Sequence, residues 1–153
     1  MPEIAFVVVA HESCVRGLRA SVLQRLEMWG VALDEAARTR VEVVVSNVFA
    51  AALLHGYRGQ TVTVRVSVLR GELAVEVRTG VTAYPLRRSP TVPPALPPVL
   101  TVFTTSAGVE DRARGRRFWA TVDVGPPRPG RVRAALGRRW LRARHGMPAR
   151  VRA

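Results

Sequence analysis

Apolar residues recur at three- and four-residue steps along Val41, Val44, Val45, Val48, Phe49, Ala52 and Leu53, so they share one face of a helix. The pattern predicts a long helix from about Asp34 to His55. Asp34 stands where an N-cap belongs and alanines fill the opening turns. Gly56 follows the last periodic residue, where a left-handed C-terminal cap is easiest for glycine. Valine is a poor helix former in isolation, so burial of this face must hold the helix. It is expected to be the central helix of the fold.

Before it, Ile4–Ala10 is an apolar, β-branched run of the length of a buried strand. The period then changes. Val15, Leu18, Val22, Leu26 and Trp29 form a helical stripe within His11–Trp29, with Glu12 and Ser13 suited to its first turn and Gly30 to its end. After Gly56, valines at 62, 64, 66 and 68 alternate with Thr63, Arg65 and Ser67, and Leu73, Val75 and Val77 alternate in the same way. With the tight turn at Arg70-Gly71, this predicts a hairpin. The density of prolines at 85, 90, 93, 94, 97 and 98 predicts a loop with extended stretches. Residues 99–105 predict a strand, AGVEDRARG a polar turn, and residues 117–124 a closing strand through Phe118, Ala120, Val122 and Val124.

The expected fold class is α+β: a two-layer sandwich, a mixed sheet with helices on one face. It occupies residues 1–124 as one domain. Residues 125–153 follow as a Pro/Gly linker and a basic tail in which Val132, Leu136 and Trp140 predict a short amphipathic helix. With 48% hydrophobic residues in 153, a core is available and global disorder is not expected. The one cysteine, Cys14, excludes an intramolecular disulfide and a cysteine metal cluster, and a buried thiol in a cytoplasmic protein is expected. No apolar run is long enough to span a membrane, and no basic region precedes Ile4–Ala10, so neither a membrane span nor a signal peptide is expected.

Charge changes the picture. The formal charge is +13, and all 24 basic residues are arginine. Residues 125–153 hold nine arginines and no acid, whereas residues 1–124 hold the other 15 against all 11 acids. The body is mildly basic and the tail strongly so. A tail of this kind can contact nucleic acid, an acidic protein or an anionic surface, but it matches no motif that reads base sequence.

Candidate chemistry is sparse. His11, His55 and His145 lie in three different elements without metal-ligand spacing, and His55 at a helix end suits the negative end of the helix dipole. No nucleophile elbow, phosphate-binding Walker loop or paired-cysteine motif occurs. The acidic pairs Asp34-Glu35 and Glu110-Asp111 suit a helix start and a turn. Trp119 is expected in the sheet core or at its edge.

Met28-Trp29-Gly30, then VVSNVFAAALLHG, then the hairpin end LAVEVRT stand in an order and spacing that resemble the small GHKL-type, histidine-kinase-like ATP-binding domains of actinobacteria, similar to anti-sigma-factor serine kinases. AGVEDRARGRRFWATVDV is similar to the ending of that family. Ser46, Ala52, His55, Gly56 and Gly80 match its pattern. The resemblance runs from Ser13 to Val124 and leaves out the tail.

The resemblance implies an ATP-dependent serine/threonine protein kinase with site positions at Asn47, Ala51, His55, Thr79 and Gly80, but four features depart from it. The family glutamate that handles the attacking hydroxyl or water is Asn47, whose amide is no base. The family asparagine that carries magnesium is Ala51, which offers no oxygen to a hard cation. The family aspartate that accepts from the adenine amino group is Thr79. The glycine-rich phosphate cradle is replaced by the proline-rich loop. The expectation is therefore a pseudoenzyme: a cytoplasmic regulator with a degenerate ATP-binding site, no metal or catalytic residue of its own, and ATP with magnesium bound only if the site is retained. By resemblance its partner is a sigma factor or an anti-sigma antagonist, met through the helical face or the first-helix region. The alternatives are a working ATP-binding kinase with an altered site, or a nucleic-acid or acidic-surface binder acting through residues 126–153. Oligomeric state stays open, a dimer among the options.

Overall fold

A computed structural model describes residues 1–57, 59–80 and 96–125. In chain order these form β1 (Glu3–Val9), α1 (Cys14–Met28), α2 (Glu35–Ala52), a π-helical turn (Leu53–Tyr57), β2 (Thr61–Leu69), β3 (Glu72–Thr79), a single helical turn α3 (Leu100–Phe103), β4 (Ser106–Arg112) and β5 (Gly115–Asp123). The fold is α+β, a five-stranded sheet in the order β1-β2-β3-β5-β4 with three helices. The proline-rich segment over 81–95 and the tail over 126–153, with its expected helix at Val132–Trp140, lie outside the described residues.

The sheet is antiparallel at every pairing, not mixed. Two helices, not one, connect β1 to β2, so the chain comes back to the end of the sheet where β1 finished, with Thr61 opposite Val9, and the next strand runs antiparallel. A single crossover helix would have made the pair parallel.

Local chemistry accounts for each helix. Asp34 caps α2, its Oδ1 accepting from the Ala37 N–H at 2.7 Å. Val41, Val44, Val45, Val48, Phe49 and Ala52 are all at most 1% exposed, so the valine face is held by burial as expected. At its far end α2 loosens into the π turn, and Gly56 lies within that turn instead of capping the helix. Gly59 takes a positive φ of 78° beyond it. Helix α1 begins at Cys14, whose side chain is half-buried and not fully enclosed. It ends with the Gly30 N–H on the Glu27 carbonyl at 2.9 Å and the Val31 N–H on the Leu26 carbonyl at 3.0 Å. With Gly30 at φ 80°, this is a Schellman cap. Leu26 and Val31, its two apolar ends, are both buried.

Two elements correct the sequence expectation. Residues 99–105 do not form a strand. Pro97 and Pro98 start a helical turn, their carbonyls accepting from Leu100 and Thr101 N–H, because proline is already set for a first helical turn. Thr101 and Thr104 hydroxyls then bond the carbonyls of Pro98 and Leu100 at 2.7 and 2.6 Å. The stretch expected as a polar turn is strand β4 and the turn that returns it into β5. Its register runs from Ser106 opposite Thr121 to Arg112 opposite Gly115.

The core lies on one side of the sheet. Val62, Val64, Val66 and Val68 of β2, Leu73, Val75 and Val77 of β3, and Phe118, Ala120 and Val122 of β5 all point into it. Helix α2 packs on β3 and β5, and α1 packs beside α2. The alternate residues, among them Arg65, Glu76, Arg117, Trp119 and Thr121, face the other way. Full burial of each core valine or leucine is worth roughly 1.5–3 kcal/mol, so this face supplies the stability.

Candidate functional site

Of the positions that the resemblance marks, Asn47, Ala51, His55 and Thr79 are engaged within the fold, whereas Gly80 is exposed. Asn47, Ala51 and His55 follow one another at four-residue steps along α2 and its π turn. Asn47 is half-buried, and its Nδ2 donates to the Val43 carbonyl one turn back at 2.8 Å. Ala51 is 1% exposed and part of the core. The His55 ring stacks on Phe118 of β5, with centroids 5.5 Å apart and planes 23° from parallel. Ser46, also matched by the family pattern, donates to the Glu42 carbonyl at 2.7 Å and accepts from Arg19 Nη1 of α1 at 3.3 Å.

Thr79 at the end of β3 is buried, and its hydroxyl closes a small ring with β5. It accepts from the Arg116 N–H at 2.9 Å and donates to the Arg116 carbonyl at 3.1 Å. Gly115 fits against this clamp at φ 125°, where a Cβ would sit 2.0 Å from the Thr79 carbonyl oxygen. Gly80 follows as an exposed residue with open space about it.

These side chains do not fit a magnesium nucleotide. Ala51 has no oxygen for the metal. The buried Thr79 hydroxyl is bonded in both directions to the Arg116 backbone and, unlike an aspartate, brings no negative charge to accept from an adenine amino group. Among the described residues no three His, Cys, Asp or Glu side chains converge on a metal position.

A second polar cluster, not anticipated from the sequence, occupies the face of the sheet opposite the core. Glu76 is 7% exposed and pairs with Arg78 on its own strand and with Arg117 on β5. Arg117 also reaches Glu110 at 3.2 Å, and Glu110 reaches Arg112 at 2.8 Å. That Arg112 contact, with the Arg117 guanidinium behind it, holds the Glu110 carboxyl below its usual range. The Arg117 guanidinium lies over the Trp119 ring, 5.4 Å from its centroid. Trp119 packs over Gly108, where a Cβ would stand 3.0 Å from the indole. At the other end of this face the Thr105 hydroxyl donates to Glu72 at 2.6 Å and, with Thr121, lowers the pKa of that carboxyl. Strand alternation was the available signal: with Phe118 and Ala120 inward, Arg117, Trp119 and Thr121 had to share the outer face.

On the helical side a shallow groove between α1 and α2 is lined by Arg16, Arg19, Leu23, Glu27, Arg38 and Glu42. It is separate from the positions of Asn47, Ala51, His55 and Thr79. No helix among the described residues is long and apolar enough to cross a membrane.

Comparison with protein-family models and with curated proteins finds no match to this chain.

Proposed function

We propose that this chain is a two-layer GHKL-like domain, similar to anti-sigma-factor serine kinases, retained as a protein-binding regulator after its nucleotide site decayed. One observation carries this: the side chains at the nucleotide positions have become parts of the fold. Ala51 is core, Asn47 bonds its own helix, His55 stacks on Phe118, and Thr79 clamps β3 to β5. On this reading the protein works in the cytoplasm without catalysis. It meets a sigma factor or an anti-sigma antagonist across the groove between α1 and α2, where three guanidiniums and two carboxylates flank Leu23. The mixed charges favour a partner read by paired contacts over one read by net charge.

The test is calorimetric titration of the full chain with ATP, with and without magnesium. The expected result is no magnesium-dependent heat. Micromolar, magnesium-dependent binding would overturn the reading in favour of a working kinase with an altered site.

A second reading is favoured by the distribution of charge. The described residues hold 12 of the 24 arginines against all 11 acids, for a net +1. Residues 58, 81–95 and 126–153 hold the remaining 12 arginines and no acid, and nine of these lie in 126–153. A polyanion contact through 126–153 would show affinity falling steeply with salt. Ending the chain at Gly125 would abolish it.

A further inference from the structure

Residues 126–153 leave the described fold at Gly125, and the residues just before that point are held in place. The Val124 N–H donates to the Gly71 carbonyl at 2.9 Å. The Gly125 N–H donates to Asp123 Oδ1 at 2.8 Å, with Gly125 at φ 75°. The chain is therefore released at a defined place, the wall of a groove of about 410 Å³ between the α1–α2 connection and the end of β5. Leu33, Ala37 and Val124 give this groove an apolar floor, and Asp34, Arg40 and Asp123 stand around it.

The charged groups of the groove are uncommitted. Asp34 and Asp123 each accept a backbone N–H, from Ala37 and Gly125. Neither has a cation partner among the described residues, whereas Glu3, Glu76, Glu110 and Asp111 each pair with an arginine. Arg40 makes no ion pair among the described residues either. Further carboxylates flank the groove: Glu35 follows Asp34 in the chain, and Glu72 stands opposite Asp123 in the sheet.

We propose that residues 126–130 of this chain, Pro-Pro-Arg-Pro-Gly, dock in this groove and strap the basic tail to the end of the sheet. The rings of Pro126, Pro127 and Pro129 are apolar and suit its floor. Proline has no N–H, so three of the five backbone units only accept hydrogen bonds, and the Arg40 guanidinium supplies donors. Arg128 lies three residues beyond Gly125, at most ~10 Å of extended chain. Because Gly125 itself lines the groove, Asp34 and Asp123 are both within reach of the Arg128 guanidinium. The contact forms within one chain, at an effective concentration on the order of millimolar for so short a tether, so a few interactions suffice. The fixed φ of proline lowers the entropy lost on docking. The eight arginines from Arg131 to Arg152 then start from one place beside the sheet, which sets where a polyanion would meet them. The strap does not depend on the reading of the nucleotide positions.

Nuclear Overhauser contacts in the isotope-labelled full chain test this. The expected result is contact from the ring protons of Pro127 and Pro129 to the methyl groups of Leu33, Ala37 and Val124 within one copy. Arg128→Glu, at a position outside the described fold, abolishes these contacts while leaving the circular dichroism unchanged, and Arg128→Lys keeps them. A wild-type chain without the contacts overturns the proposal. Contacts that survive Arg128→Glu undiminished overturn the pairing with Asp34 and Asp123, and with it the strap as proposed. Contacts found only between a labelled and an unlabelled copy overturn it in favour of tails exchanged between two molecules.

Discussion

Among the described residues Arg70 is the one non-glycine residue with a positive φ. The turn from β2 to β3 has Leu69 opposite Glu72, with Arg70 and Gly71 between them at φ 52° and 84°. Two positive φ values define the type I′ turn that suits the twist of a hairpin. Glycine accepts that conformation freely, whereas arginine crowds its Cβ against the carbonyl, at a cost of roughly 1–2 kcal/mol. Asparagine is the residue preferred at this position. Arg70→Asn is therefore expected to stabilise the protein by about 0.5–1 kcal/mol, read from the denaturation midpoint at unchanged slope. An unchanged or lower midpoint would show that the Arg70 side chain makes a compensating contact. The sequence placed this turn at the right dipeptide because alternation resumes on either side of it. Thr79 was not legible in that way: its chain neighbours reveal nothing of a hydroxyl shared between two backbone groups of a strand 37 residues later.

Among the elements, the long helix, the first hairpin and the closing strand were legible, since each buries one face completely and so shows its period. Strand β4 was hidden because it is an edge. None of its side chains is fully buried, and Glu110 and Arg112 on its outer face satisfy charge pairs instead of a core. The turn α3 was hidden for the opposite reason. Its Leu, Thr, Val and Phe suit a strand by composition, but two prolines and two threonine hydroxyls bond its backbone into a helical turn. Beyond the ladder that pairs β5 with β3, the start of β5 fits closely against the end of β3, Gly115 against Thr79. Gly115→Ala combines a forced φ with overlap on backbone, and a loss on the order of 3 kcal/mol is expected. Unfolding in urea measures it. A loss below 0.5 kcal/mol, the ordinary scatter of surface substitutions, would show that the clamp can move aside.

Across the whole molecule, the chain builds one side of the sheet from valine and phenylalanine under two helices and leaves the other to ion pairs around Glu76 and Trp119. Its positive charge is held almost wholly by residues outside the described fold. The positions that the resemblance marks can be counted along a helix and a strand in the sequence, Asn47, Ala51 and Thr79 among them. The burial and stacking of those side chains were not legible, since they depend on partners distant in sequence. The same charge distribution decides how the central claim is best tested. ATP is itself a polyanion and can associate with the arginines of 126–153, so heat alone does not locate it. Residue-resolved NMR titration of the full chain with magnesium ATP does. The account predicts that the amides of Asn47, Ala51, Thr79 and Gly80 and the ring protons of His55 stay in place, with any shifts confined to the arginine-rich segments and removed by salt. Saturable, magnesium-dependent shifts at Ala51, His55 and Thr79 would contradict it.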